Sequence, residues 1–64
     1  MPNAEERILA MATEMAGSIE QARYWYHHKP MPGWAGRTAH DLVSEGKADK
    51  VLAYLESVRA GVHA

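Results

Sequence analysis

The 64-residue chain carries seven Lys and Arg, eight Asp and Glu, four His and no Cys, for a formal net charge of -1. That balance argues against a domain holding nucleic acid by phosphate neutralisation, and the lack of Cys removes both a disulfide framework and a Cys-based zinc site. No apolar run approaches the ~18 residues of a membrane span, and the first ten residues carry two Glu and no signal-peptide core, so a cytoplasmic protein is expected.

A chain of this length is one domain that buries only about 60% of the surface its unfolded form exposes. Its own core is therefore marginal, and partner surface would add to it. Asn3 followed by Glu6 is a capping-box-like start, with Glu5 and Glu6 against the positive end of the helix dipole. Ile8, Leu9, Ala12, Met15 and Ala16 then form an apolar stripe of helical period that Gly17 ends. Ser18 and Gln21 repeat the cap signal for a second helix, with Ile19, Ala22, Trp25 and Tyr26 as the buried stripe and Glu20, Arg23 and Lys29 facing water. Tyr24 has no clear place on that stripe. Pro30 stops the helix, because it lacks an amide and restricts the residue before it.

The stretch from Pro30 to Leu55 holds the densest punctuation in the chain. A Pro- and Gly-rich loop carries Trp34, whose indole is worth roughly 150–250 Å² of burial and is expected to fold back onto the core. Thr38 caps a short helix over Ala39–Ser44, with Asp41 as the reciprocal partner and Leu42 and Val43 inward. Gly46 falls where that helix needs a left-handed residue. The last helix is expected over Ala48–Ala60, with Val51, Leu52, Leu55 and Val58 as its stripe and Gly61 as its left-handed terminator. With no strand alternation and no internal repeat, the expected fold is all-α, a small bundle of four helices.

No constellation points to catalysis or to a metal. No histidine stands four residues from another, and His27 and His28 lie about 100° apart on a helix. Ser18 and Thr38 are explained as caps, and Glu5, Glu6 and Asp49 as first-turn carboxylates. The tight Glu45–Gly46 turn raises a helix-turn-helix alternative, a small DNA-binding or transcription-associated protein. Against it, Lys47 and Lys50 are balanced by Asp49 and Glu56, without the Arg, Asn and Gln that read base edges. What remains is a protein-binding surface. Tyr24, Trp34, Tyr54, Arg37 and Arg59 are interface-anchor types, and Met11, Met15 and Met31 are adaptable apolar contacts.

The pieces in order resemble the toxin-binding domain of Xre/MbcA/ParS-like antitoxins of type II toxin–antitoxin systems. They are the apolar first helix, the Ala22–Trp25 segment, the proline loop closing on Gly36, then Arg37 and Thr38, the Asp41–Val43 helix, the Glu45–Gly46 turn, the Val51–Leu55 helix and Gly61. Ala39 stands where the family commonly has Pro after the capping Thr. The usual upstream helix-turn-helix domain is not expected over residues 1–64, which read as a single toxin-binding module. The resemblance implies no catalysis and no cofactor. It implies a homodimer with a cognate toxin partner, often of the NAD-consuming RES type, neutralised by covering its active-site entrance. The C-terminal helix and tail contribute to that contact in the family, and here they correspond to Arg59, Gly61, Val62, His63 and Ala64.

Overall fold

The computed structural model describes residues 3–61, and within them the chain forms four helices. Each of the first three begins where the sequence supplies its own acceptor. Asn3 Oδ1 accepts the Glu6 amide at 2.8 Å to open α1 (Ala4–Ala16), and Ser18 Oγ accepts the Gln21 amide at 3.2 Å to open α2 (Ile19–His28). Only at α3 (Ala39–Ser44) is the box closed from both sides: the Asp41 amide donates to Thr38 Oγ1 at 3.2 Å, and the Thr38 amide donates to Asp41 Oδ2 at 3.0 Å. α4 spans Ala48–Gly61.

The stops are equally local. Gly17 ends α1 at φ 94 with its amide on the Thr13 carbonyl. Gly46, at φ 82, donates to Val43 O while Lys47 donates to Leu42 O at 2.8 Å, the paired bonds of a Schellman turn. That turn makes the α3–α4 connection short enough to pack the two helices together.

Ile8, Ala12, Ala22, Tyr26, Met31, Ala39, Leu42, Val51 and Leu55 are buried and draw on all four helices and the loop. α1 packs on the other three helices, and α3 packs on α2 and α4. Among the described residues, no Cα of α2 comes within 8 Å of α4. The bundle is therefore open along one seam.

Three expectations need correction. Met15, Val58 and Ala16 are exposed, the first two by 39% and 37%, because the open seam leaves the ends of these stripes without a facing helix, and Ile19, at the first turn of α2, is 43% exposed. Trp25, which lines the same seam, is only half-buried. Gly61 does not terminate α4 in the left-handed region; it is helical, the last of the described residues, and glycine in a helix costs only about 1 kcal/mol relative to alanine. Met31, named among the adaptable apolar contacts with its burial left open, is 2% exposed and belongs to the core.

Met31 explains how the loop is held. Its amide donates to the Arg37 carbonyl at 2.8 Å beside an isolated antiparallel bridge between Pro30 and Thr38, so the loop is pinched at its base. Its side chain then points into the core cluster. Trp34 packs on that cluster from the loop tip, half-buried, with Lys47 Nζ 5.7 Å from its ring centroid.

Candidate partner-binding surface

The open seam is the largest consequence of the helix arrangement. α1 supplies its floor with Ala12, Met15 and Ala16, α2 one wall with Ala22 and Trp25, and α4 the other with Tyr54, Leu55 and Val58. The groove has a volume of about 240 Å³ and a lining that is almost wholly apolar. Ala12 and Ala16 on the floor leave room between Trp25 on one wall and Tyr54 on the other. A second depression of about 460 Å³ adjoins it, sharing Ala16 and Trp25 and bounded by Glu20, Gln21, Tyr24 and Lys29.

A groove of this kind has the residue types that carry binding energy. Trp, Tyr and Met are enriched at interface cores, and an apolar slot between helices is a standard seat for another chain's apolar side chains. Tyr54 and Val58 face the seam from one flank of α4, and Gly61 continues the same flank seven residues beyond Tyr54.

The residues expected to bind a partner do not form one patch. Tyr54 lines the groove and Gly61 lies at its C-terminal end, whereas Arg59 projects about 140° away from Tyr54 around the helix. Arg37 sits elsewhere altogether. Its Nε is 2.8 Å from Glu45 Oε2 at the α3–α4 turn, and about 16 Å of helix separates that turn from Arg59. Val62, His63 and Ala64 lie outside the described residues. Of the groove residues, Trp25 and Val58 were read as core, and Met15 both as part of a buried stripe and as an adaptable contact. Their periodicity was the same as that of buried positions, and only the missing α2–α4 contact sets them apart.

The Asp41 carboxyl is held below the usual carboxylate range, first by the Thr38 amide that donates to it, with the Thr38 hydroxyl, His40 and Arg37 acting in the same direction and desolvation opposing them. Burial pushes the Tyr26 phenol above its ordinary value, and the charge of Glu5 adds to it. His27 and His40, far apart in sequence, meet across α2 and α3 with ring centroids 4.9 Å apart. Among the described residues no three His, Asp or Glu side chains gather to hold a metal ion, and no helix is long and apolar enough to cross a membrane.

Comparison with curated proteins and with solved structures gave no match. A family model does match: the antitoxin Xre/MbcA/ParS C-terminal toxin-binding domain, over residues 11–61. The matched span contains every residue lining the groove, the pinched loop, the Thr38 cap and the Schellman turn. By this match over most of its length, the chain belongs to the Xre/MbcA/ParS antitoxin toxin-binding domain family.

Proposed function

We propose that this domain neutralises a cognate bacterial toxin by laying the groove between α2 and α4, together with the C-terminal end of α4, over the toxin's active-site entrance. The observation that carries the reading is the open apolar seam lined by Met15, Trp25, Tyr54 and Val58 in a chain of the toxin-binding family. A RES-type, NAD-consuming enzyme is the toxin class that the family resemblance favours, and this domain needs no cofactor or catalysis of its own to block it.

The outward face of α4 supports a protein partner over duplex DNA. Asp49, Lys50, Ala53, Glu56, Ser57 and Ala60 are exposed there, two carboxylates against one Lys, with none of the Arg, Asn or Gln side chains that most often read base edges. Binding by apolar burial in the seam needs neither feature.

The test is capture of the toxin-like enzyme encoded beside this chain, followed by affinity measurements on variants. Val58→Glu places a charge in the apolar groove and should weaken binding by about a hundredfold or more, since an unpaired carboxylate there loses its hydration. Arg37→Ala, at the far end of α4, should change affinity by less than about threefold. Equal losses from the two would move the site to the loop end. Deleting residues 62–64 should weaken neutralisation while leaving helicity intact, and unchanged neutralisation would remove the tail from the contact.

A further inference from the structure

Two histidines distant in the chain meet where α2 packs on α3, on a side of the bundle that the seam does not reach. His27 lies in the last turn of α2 and His40 in the first turn of α3, and both are exposed. Their ring centroids are 4.9 Å apart, with the planes inclined at 40°. No hydrogen bond or ion pair to either ring is made among the described residues. Spacing along a single helix could not reveal this pair, because the pinched loop between Pro30 and Thr38 is what returns α3 to the end of α2.

The rings are supported from inside. Tyr26, 1% exposed, stands edge-on to both, 5.0 Å from the His27 centroid at 89° and 5.7 Å from the His40 centroid at 80°. A buried ring packed against both imidazoles limits how they can turn, which is the preorganisation that a binding site needs. His28 takes no part: its ring is 6.4 Å from that of His27 and lies 4.8 Å from Tyr24 instead. The surrounding charge is mixed. Asp41 follows His40, and Glu5 of α1 acts on the Tyr26 phenol. Of the cations, Arg37 is drawn to Glu45 at 2.8 Å, and Arg23, one turn before His27, is exposed to screening by solvent.

The separation matches what a shared metal ion demands. An imidazole nitrogen binds Zn2+ at about 2.0–2.1 Å, which puts the ring centroid roughly 3.2 Å from the ion. Two such rings at the angles of about 90–110° found in octahedral and tetrahedral sites have centroids about 4.5–5.2 Å apart. The observed 4.9 Å falls within that range. Imidazole suits zinc, copper and nickel, whereas magnesium and calcium take oxygen ligands.

We propose that His27 and His40 form a two-histidine site for a divalent ion of the zinc and copper class, which clips the end of α2 to the start of α3. Since no third His, Asp or Glu joins them among the described residues, water fills the remaining coordination positions and the affinity is modest. The site is independent of toxin neutralisation and is tested on this chain alone. A Kd of about 100 μM would let 1 mM free ion shift the folding equilibrium about elevenfold, which raises Tm by about 6–11 °C.

The full chain is titrated with Zn2+, and with Mg2+ as the control, at one protein concentration. Zn2+ at 1 mM should give that rise, and Mg2+ should leave Tm within about 1 °C. In nuclear magnetic resonance spectra, the ring C–H signals of His27 and His40 should move together with the ion added, and those of His28 should stay. His27→Ala and His40→Ala should each abolish the rise, with circular dichroism showing the parent's helicity in the absence of metal. His28→Ala, and the chain shortened by residues 62–64 and so lacking His63, should keep it. Failure of either the Tm rise or the movement of the two signals overturns the proposal. So does a rise that survives either single substitution, or one lost with His28 or with residues 62–64, which would place the ion elsewhere.

Discussion

Replacing Met31 by alanine separates a core role from a surface one more sharply than any other single change. Met31 is 2% exposed, belongs to the same core cluster as Ile8, Tyr26, Leu42, Val51 and Leu55, and lies at the pinched base of the loop. Truncating a buried Met removes three heavy atoms and leaves a cavity, which costs about 2–5 kcal/mol. A 64-residue domain has a stability of only about 3–10 kcal/mol, and each kcal/mol moves Tm by about 4–8 °C at this size. Met31→Ala should therefore lower Tm by about 8 °C or more in a thermal scan followed by far-ultraviolet circular dichroism. Met15→Ala is the control: its side chain is 39% exposed on the groove floor, and the loss should stay near or below about 1 kcal/mol. Both scans need one protein concentration, because any self-association makes Tm concentration-dependent. A Met31→Ala chain that unfolds within about 5 °C of the parent would show that the loop, not the side chain, holds this region, and the core assignment would fail.

Further perturbations test the local devices. Thr38→Ala removes one half of the capping box on α3 and should cost about 1 kcal/mol of stability in chemical denaturation, with a cost near zero counting against the cap. The Asp41 carboxylate is stabilised in the folded chain, so its contribution is present above the ordinary carboxylate value of about 3.9 and is lost as pH falls through the lower folded value. Stability should thus drop below about pH 4, and the Asp41→Ala chain should lack that portion of the drop. Gly46→Ala meets no side-chain clash but forces an L-residue to φ 82, so it should destabilise by about 1 kcal/mol, and an unchanged Tm would show that the turn can relax.

The bounds of the helices were legible in the sequence, because what starts and stops a helix here is within a few residues of the boundary. Asn3, Ser18 and Thr38 each accept an amide three residues on, Gly17 and Gly46 take the left-handed conformation, and Pro30 closes α2. Gly61 was the exception: the same residue type that terminates α1 and α3 is here an ordinary helical residue of α4. The family was legible for the same reason, since loop, cap and turn residues carry its spelling, and the match over residues 11–61 agrees with it.

Periodicity could not say which apolar residues are buried. It gives each stripe a direction, but whether a helix faces that direction depends on elements far away in the chain. Ile8, Ala12, Val51 and Leu55 found neighbours, while Met15, Val58 and Trp25, on stripes of the same period, opened onto the seam where α2 and α4 fail to meet. Met31 went the other way, from a loop position with no periodicity into the core, because the bond to Arg37 turns the chain back on itself. By itself, then, the sequence determined the four helices, their caps and the family, all of which rest on short-range hydrogen bonding and backbone sterics. Only the tertiary structure decided that one seam stays open, and with it which of the large apolar side chains are left to meet a partner, because that depends on which helix pairs come into contact.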